Sequence, residues 1–141
     1  MSAAPDAVMR EWFQEVWNRR REDAIDRLMA PDAKVHGLAA EPIIGAGAFK
    51  PFYRTFCDSF PEFHIDVVQS LVDGDRVAVV CHVTGRHGGD ALGGKATDKP
   101  VDFWGMTVGR VENGVIVEGW NTFDFLTMYQ QMGWVASPVV G

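Results

Sequence analysis

Several things are scarce in this chain, and each scarcity narrows what it can be. Of 141 residues only two are cysteine, Cys57 and Cys81, and no CxxC pair brings them together. Neither a disulfide framework nor a thiolate metal cluster is expected, and both read as reduced, buried thiols of a cytoplasmic protein. No apolar run approaches the roughly 18 residues that span a bilayer. The first residues, MSAAPDAVMREW, lack the basic start and apolar stretch of a secretory signal. Positive charge is also short: the formal net charge is −6, and the densest basic cluster is Arg19-Arg20-Arg21. Nucleic-acid phosphates and anionic membrane surfaces both require a basic face, so neither partner is expected. No His, Asp, Glu or Cys pair stands at metal-ligand spacing on one element, and no metal or other cofactor is implied.

One motif is a decoy. Gly89 to Lys95, GDALGGK, follows most of a phosphate-binding loop, but Ala96 stands where the magnesium-binding hydroxyl belongs. The segment also leads toward a strand, so no helix N-terminus waits to hold a phosphate.

What the chain does have is apolar mass, 47% hydrophobic with five Trp and nine Phe. That supports a single domain over residues 1–141, with residues 1–6 and 136–141 frayed. From Pro5 to Met29 the pattern is helical in two pieces, with Met9, Trp12, Phe13, Val16 and Trp17 on one face. Asp32 to His36 reads as a short strand. A second helix runs from about Ala46 to Ser59, its apolar stripe built from Phe49, Phe52, Tyr53 and Phe56, with Pro51 placed near its first turn. The period then becomes two. Phe63, Ile65 and Val67 alternate until Val68 breaks the phase, which predicts a bulge. Strands over Arg76–His87, Val101–Val111 and Val115–Phe123 follow, the last two joined at Asn113-Gly114, a type I′ turn signal. Asp124 then caps a short helix that Gly133 closes. Helices first, strands next and one closing helix predict an α+β fold: a curved antiparallel sheet with the N-terminal helices on its concave face.

Five features stand in a fixed order: Trp17-Asn18, Pro31-Asp32 leading to His36-Gly37, Gly85-Arg86-His87-Gly88, the Asn113-Gly114 hairpin, and Trp120 and Asp124 ahead of Gln131-Met132-Gly133. Together they resemble the SnoaL-like polyketide cyclase family, which shares a cystatin-like cone with ketosteroid isomerase and nuclear transport factor. The resemblance implies an apolar pocket between sheet and helices, and a cyclase or isomerase that moves a proton beside a carbonyl. The cyclases' catalytic Asp falls on Asn121, and the histidine of the preceding strand falls on Thr107. An amide is no general base, although Asn121 and Thr107 can orient or polarise a carbonyl oxygen. The missing acid equally suits a non-catalytic binding protein for a hydrophobic small molecule.

The remaining candidates carry structural alternatives. His36 and His87 each end a strand, where either serves as a base or as a structural hydrogen-bonding group. Asp124 is the nearest carboxylate to Asn121, and helix capping competes with a role as base. Trp17, Phe56, Phe103, Gly105 and Gly119 are the expected pocket lining, and strand glycines there leave room for a ligand or simply mark curvature. Trp104, Met106 and Trp120 fall on the opposite parity. A sheet face carrying them is expected to be covered, and a homodimer formed face to face would cover it.

Overall fold

A computed structural model describes residues 4–136. Pro5 sets the first turn of α1 (Pro5–Glu11), which continues into a π-helical segment, Trp12–Asn18. After α2 (Asp23–Leu28) come β1 (Met29–His36), the two-residue β2 (Ile43–Ile44) and α3 (Gly45–Ser59). The remaining elements are β3 (Glu62–Asp73), β4 (Arg76–Arg86), β5 (Pro100–Glu112), β6 (Val115–Phe123) and α4 (Phe125–Gln131).

The six strands form one unclosed sheet in the order β2-β1-β6-β5-β4-β3. The α+β class is as the pattern predicts, and the helices lie against the sheet face that carries the apolar residues. One pairing departs from the antiparallel expectation. β1 runs parallel to β6, because the whole of α3 and four strands separate them in sequence and no hairpin constrains their direction. The predicted bulge is present: the β3–β4 register slips between Val67 and Gln69, skipping Val68. Asn113 (φ 53°) and Gly114 (φ 79°) both take the positive φ that a type I′ turn demands.

Pro51 is the second departure. It is the seventh residue of α3, not part of the first turn, and so removes one bond from the middle of the ladder. Gly47, four residues earlier, is exposed and has no Cβ, so solvent reaches the region whose carbonyl loses that bond. The fraying expected for residues 1–3 and 137–141 lies outside the described residues, whereas Pro5 and Asp6 already belong to α1. No helix among the described residues is long and apolar enough to cross a membrane.

Burial alternates along β4 and β5 with the period of the pleat. Val77, Val79, Cys81, Val83, Val101 and Phe103 point into the core, where Val8, Met9, Phe13, Val16, Ile25 and Phe49 meet them. Burial in apolar surroundings pushes the Cys81 thiol up to about 12, so it packs as a small hydrophobe.

Two amides fasten the layers. Asn18 closes the π-helical segment and grips the edge strand β3: its Nδ2 donates to the Ile65 carbonyl at 2.8 Å, and its Oδ1 accepts the Ile65 N–H at 2.7 Å. Gln131, in the last turn of α4, grips Asp102 of β5 in the same way, at 2.8 and 2.7 Å. Each supplies the backbone partner that a missing neighbouring strand would have offered.

Candidate functional site

Between the inner sheet face and the helices lies a cavity of about 70 Å³. One water needs roughly 10–15 Å³, so this space suits an organic group better than an isolated solvent molecule. Its wall is aromatic. Trp12, Phe13 and Trp17 come from the N-terminal helical segment, Phe49, Phe52 and Phe56 from α3, Phe63 and Phe103 from the sheet, and Phe123 and Phe125 from the β6–α4 corner. Trp17 organises much of this wall, with ring centroids 5.2–6.5 Å from Phe49, Phe52, Tyr53, Phe56 and Phe63.

Apart from the indoles of Trp12 and Trp17, polar side chains in the lining come down to Thr107 and Asn121. These face each other across the β5–β6 ladder, as the shared parity of the two strands requires. The Thr107 hydroxyl donates to Asn121 Oδ1 at 2.8 Å, and Asn121 Nδ2 donates to the His36 carbonyl at 3.0 Å. Both acceptors are carbonyl oxygens, so the direction of the hydrogen bonds and the orientation of the amide are fixed. Gly37 permits the arrangement. At φ 91°, its missing Cβ would lie 1.9 Å from the Asn121 backbone oxygen, so β1 can end against β6 only with glycine there.

Of the expected lining, Trp17, Phe56, Phe103 and Gly119 border the cavity. Gly105 does not. A Cβ on it would fall 2.0 Å from the Phe123 ring, so this glycine makes room for an aromatic side chain of the wall and not for a ligand. Gly119 is different, since the nearest atoms to its imagined Cβ are 3.9 Å away. The other aromatics of the wall, Trp12, Phe13, Phe49, Phe52, Phe63, Phe123 and Phe125, are not among the expected lining, although the two helical stripes carry the first four and Phe123 shares the parity of Asn121.

The three residues considered as a base lie elsewhere. His36 projects from the opposite sheet face, its Nε2 2.8 Å from Glu118 Oε2 and its ring stacked on Trp120 at 5.6 Å. The His36 contact, together with the positive charge of Arg110 and Lys34, holds the Glu118 carboxyl below its usual range. His87 is fully buried beneath the 87–99 loop. Its Nδ1 accepts the Thr97 N–H at 3.1 Å and lies 3.0 Å from the Thr97 hydroxyl, so the neutral ring carries its proton on Nε2. That Nε2 has no hydrogen-bond partner among the described residues. Burial pushes the His87 pKa down, against a weaker opposing pull from Asp90. Asp124 caps α4, accepting the Thr127 hydroxyl at 2.6 Å and the Thr127 N–H at 3.0 Å, and both bonds lower its pKa. A carboxylate so held is a weak base.

The cavity lining thus contains no ionisable side chain. No group of three or more His, Cys, Asp or Glu among the described residues is placed to hold a metal ion. Two glycines of the phosphate-loop decoy have packing roles: a Cβ on Gly89 would strike the Asp58 carbonyl oxygen at 1.8 Å, and one on Gly94 the Trp134 ring at 2.7 Å, while Gly93 takes a turn conformation at φ 96°.

Comparison with known proteins places this architecture. The SnoaL-like polyketide cyclase family model matches residues 7–132, nearly the whole chain. This chain belongs to the SnoaL-like polyketide cyclase family. IdmH of Streptomyces antibioticus, provisionally assigned as a polyketide cyclase, is 26% identical, superposes with a TM-score of 0.81, and aligns over 93% of this chain and 99% of its own. A provisionally assigned SnoaL-like polyketide cyclase of Jannaschia sp. CCS1 gives a TM-score of 0.84 at 22% identity, over 95% and 93% of the two chains. A Catenulispora acidiphila protein with a ketosteroid isomerase-like fold, crystallised with trimethylamine, gives 0.77 at 16% identity, over 93% and 97%. The last two likenesses show the fold alone. No curated protein matches this SnoaL-like sequence.

Proposed function

We propose that this SnoaL-like protein is a cyclase or isomerase acting on a hydrophobic carbonyl compound, with confinement and carbonyl polarisation as its contributions to catalysis. The observation that carries the reading is the Thr107–Asn121 pair set into an otherwise apolar, aromatic cavity. A carbonyl oxygen lying against Asn121 accepts an amide N–H in surroundings where such a bond is stronger than in water. Withdrawal of electron density acidifies the C–H beside the carbonyl, and negative charge building on the oxygen is held by the same donor. The aromatic wall folds the substrate so that its reacting carbons approach, which replaces a diffusive encounter by an intramolecular one. No side chain of the wall titrates, so in this reading the proton acceptor is not among the lining residues.

A second reading is supported by that same lack: a carrier that binds an apolar ligand without transforming it. Incubation with a panel of hydrophobic keto esters, followed by chromatography and mass spectrometry, separates the two. Turnover that falls about tenfold or more in Asn121→Ala and Thr107→Val supports the enzyme. Binding without conversion supports the carrier, and conversion untouched by both substitutions would retire this site.

The outer sheet face suits a second copy of the chain, with Trp104 51% and Met106 60% exposed and Trp120 beside them. Sedimentation at micromolar concentration should then report a species of twice 15.6 kDa, and a lone monomer would argue against the dimer.

A further inference from the structure

The hydrogen bonds around Asn121 leave a specific remainder. Its Nδ2 carries two hydrogens, and the His36 carbonyl takes one. Thr107 spends its only hydrogen on Asn121 Oδ1, which leaves the lone pairs of Oγ1 free to accept. The pair can therefore offer a ligand one N–H and one hydroxyl oxygen, and it offers no charge. Gly119 shares this wall, two residues before Asn121 on the same face of β6, with open space where a side chain would stand. Its backbone lies outside the positive-φ region, so alanine is sterically permitted there. The contrast with Gly105 is informative: of these two inward glycines, one is filled by a protein ring and the other is left empty beside the polar pair.

We infer that Gly119, Asn121 and Thr107 form a seat for the oxygen-bearing end of an uncharged ligand, and that Gly119 is a specificity-determining residue for what that end may be. The seat admits a carbonyl oxygen, which accepts from Asn121, or a hydroxyl, which accepts from Asn121 and donates to Thr107. It excludes a carboxylate or an ammonium group, because the wall supplies no counter-charge and burial of an unpaired ion is strongly unfavourable. Gly119 keeps the bare backbone that lets the oxygen come up to the amide, and a methyl group at that position occupies the same space. The inference rests on the reading that the cavity takes a hydrophobic carbonyl compound, and it goes on to name the charge state and the residue that sets the fit.

Three small aromatic probes of nearly one shape test it: acetophenone, its carbonyl-free counterpart cumene, and benzoate. Titration calorimetry on the full chain should show acetophenone binding roughly tenfold tighter than cumene, the ratio expected for one well-made hydrogen bond, with no measurable benzoate binding. Asn121→Leu should narrow the ratio toward unity. Gly119→Ala should weaken acetophenone by about tenfold while thermal unfolding stays as in the wild type. Asn121→Leu also loses the bond to His36, so Gly119→Ala, which disturbs no protein contact, decides the matter if the leucine variant does not fold. Equal binding of acetophenone and cumene, undisturbed by Gly119→Ala, overturns the seat and leaves the apolar cavity standing. Benzoate binding as tightly as acetophenone overturns the requirement for an uncharged ligand. Failure of acetophenone and cumene alike to bind at millimolar concentration overturns the seat together with the cavity reading beneath it.

Discussion

The two faces of the β4–β5–β6 sheet are written by the same strands and share almost nothing chemically. On the inner face stand Val79, Cys81, Val83, Phe103, Thr107 and Asn121, with glycines at 105, 109 and 119. On the outer face His82 lies 2.6 Å from Asp102 and stacks on Trp104 at 4.5 Å, His36 meets Glu118, and Arg76 sits 5.4 Å from the Trp120 ring. Alternation along each strand sorts them, so a one-residue slip would exchange the two sets. The comparison teaches where function can lie. The titratable partners collect on the outer face, where water supports their charge, while the cavity face keeps only a hydroxyl and an amide.

The strongest test of that contrast pits one tryptophan against another. Trp17→Ala removes the ring around which five aromatic side chains gather and should cost about 3–5 kcal/mol by chemical denaturation. A loss as small as that of a surface residue would mean that the inner wall is loosely packed. Next in size is Gly105→Ala, whose methyl group must displace the Phe123 ring. It should destabilise by about 1–3 kcal/mol, against a change within about 0.5 kcal/mol for Gly119→Ala. Similar values for the two glycines would erase the difference between a filled and an open position.

Smaller again is a pH effect at the junction beneath both faces. His87 is kept neutral by burial, with its folded pKa below the usual histidine value of 6.5. The unfolded chain therefore binds the proton more readily, and stability falls as pH drops through about 6.5 toward the folded pKa. Asp124 adds a separate loss in stronger acid, as pH falls below the usual aspartate range through its own depressed pKa. Stability measured from about pH 7 to about pH 5 should slope less in His87→Phe than in the wild type, and an unchanged slope would assign the effect elsewhere. The smallest effect is on the outer face. Trp104→Glu, measured on the isolated chain at low concentration, should change stability by no more than about 1 kcal/mol, while shifting any dimer toward monomer in sedimentation.

Much of this arrangement is legible in the sequence, for physical reasons that differ by element. The alternation in RVAVVCHVTGR forces Val77, Val79, Cys81 and Val83 to one side, and Asn113-Gly114 fixes the β5–β6 register that sets Thr107 opposite Asn121. Asp124 is legible as a cap because its competitor, a base in an apolar pocket, would need a free carboxylate. What cannot be read is orientation across long separations. The parallel pairing of β1 with β6 turns His36 onto the outer face beside Trp120, and nothing local to DAKVH fixes that direction. His87 follows a strand whose parity stops at Arg86, so its burial under Thr97 depends on the path of the 87–99 loop. Gly105 and Gly119 look alike in sequence, and only the position of the Phe123 ring tells them apart.

The proposed chemistry needs a carbonyl oxygen that accepts the free N–H of Asn121 inside an uncharged cavity, and infrared spectroscopy of a bound ketone reads that bond directly. With acetophenone carrying a 13C-labelled carbonyl, the wild-type complex should show the stretch moved to lower frequency than in an apolar solvent, and Asn121→Leu should return it to the apolar-solvent position. An unshifted stretch in the wild-type complex, or the same shift in both proteins, would contradict it.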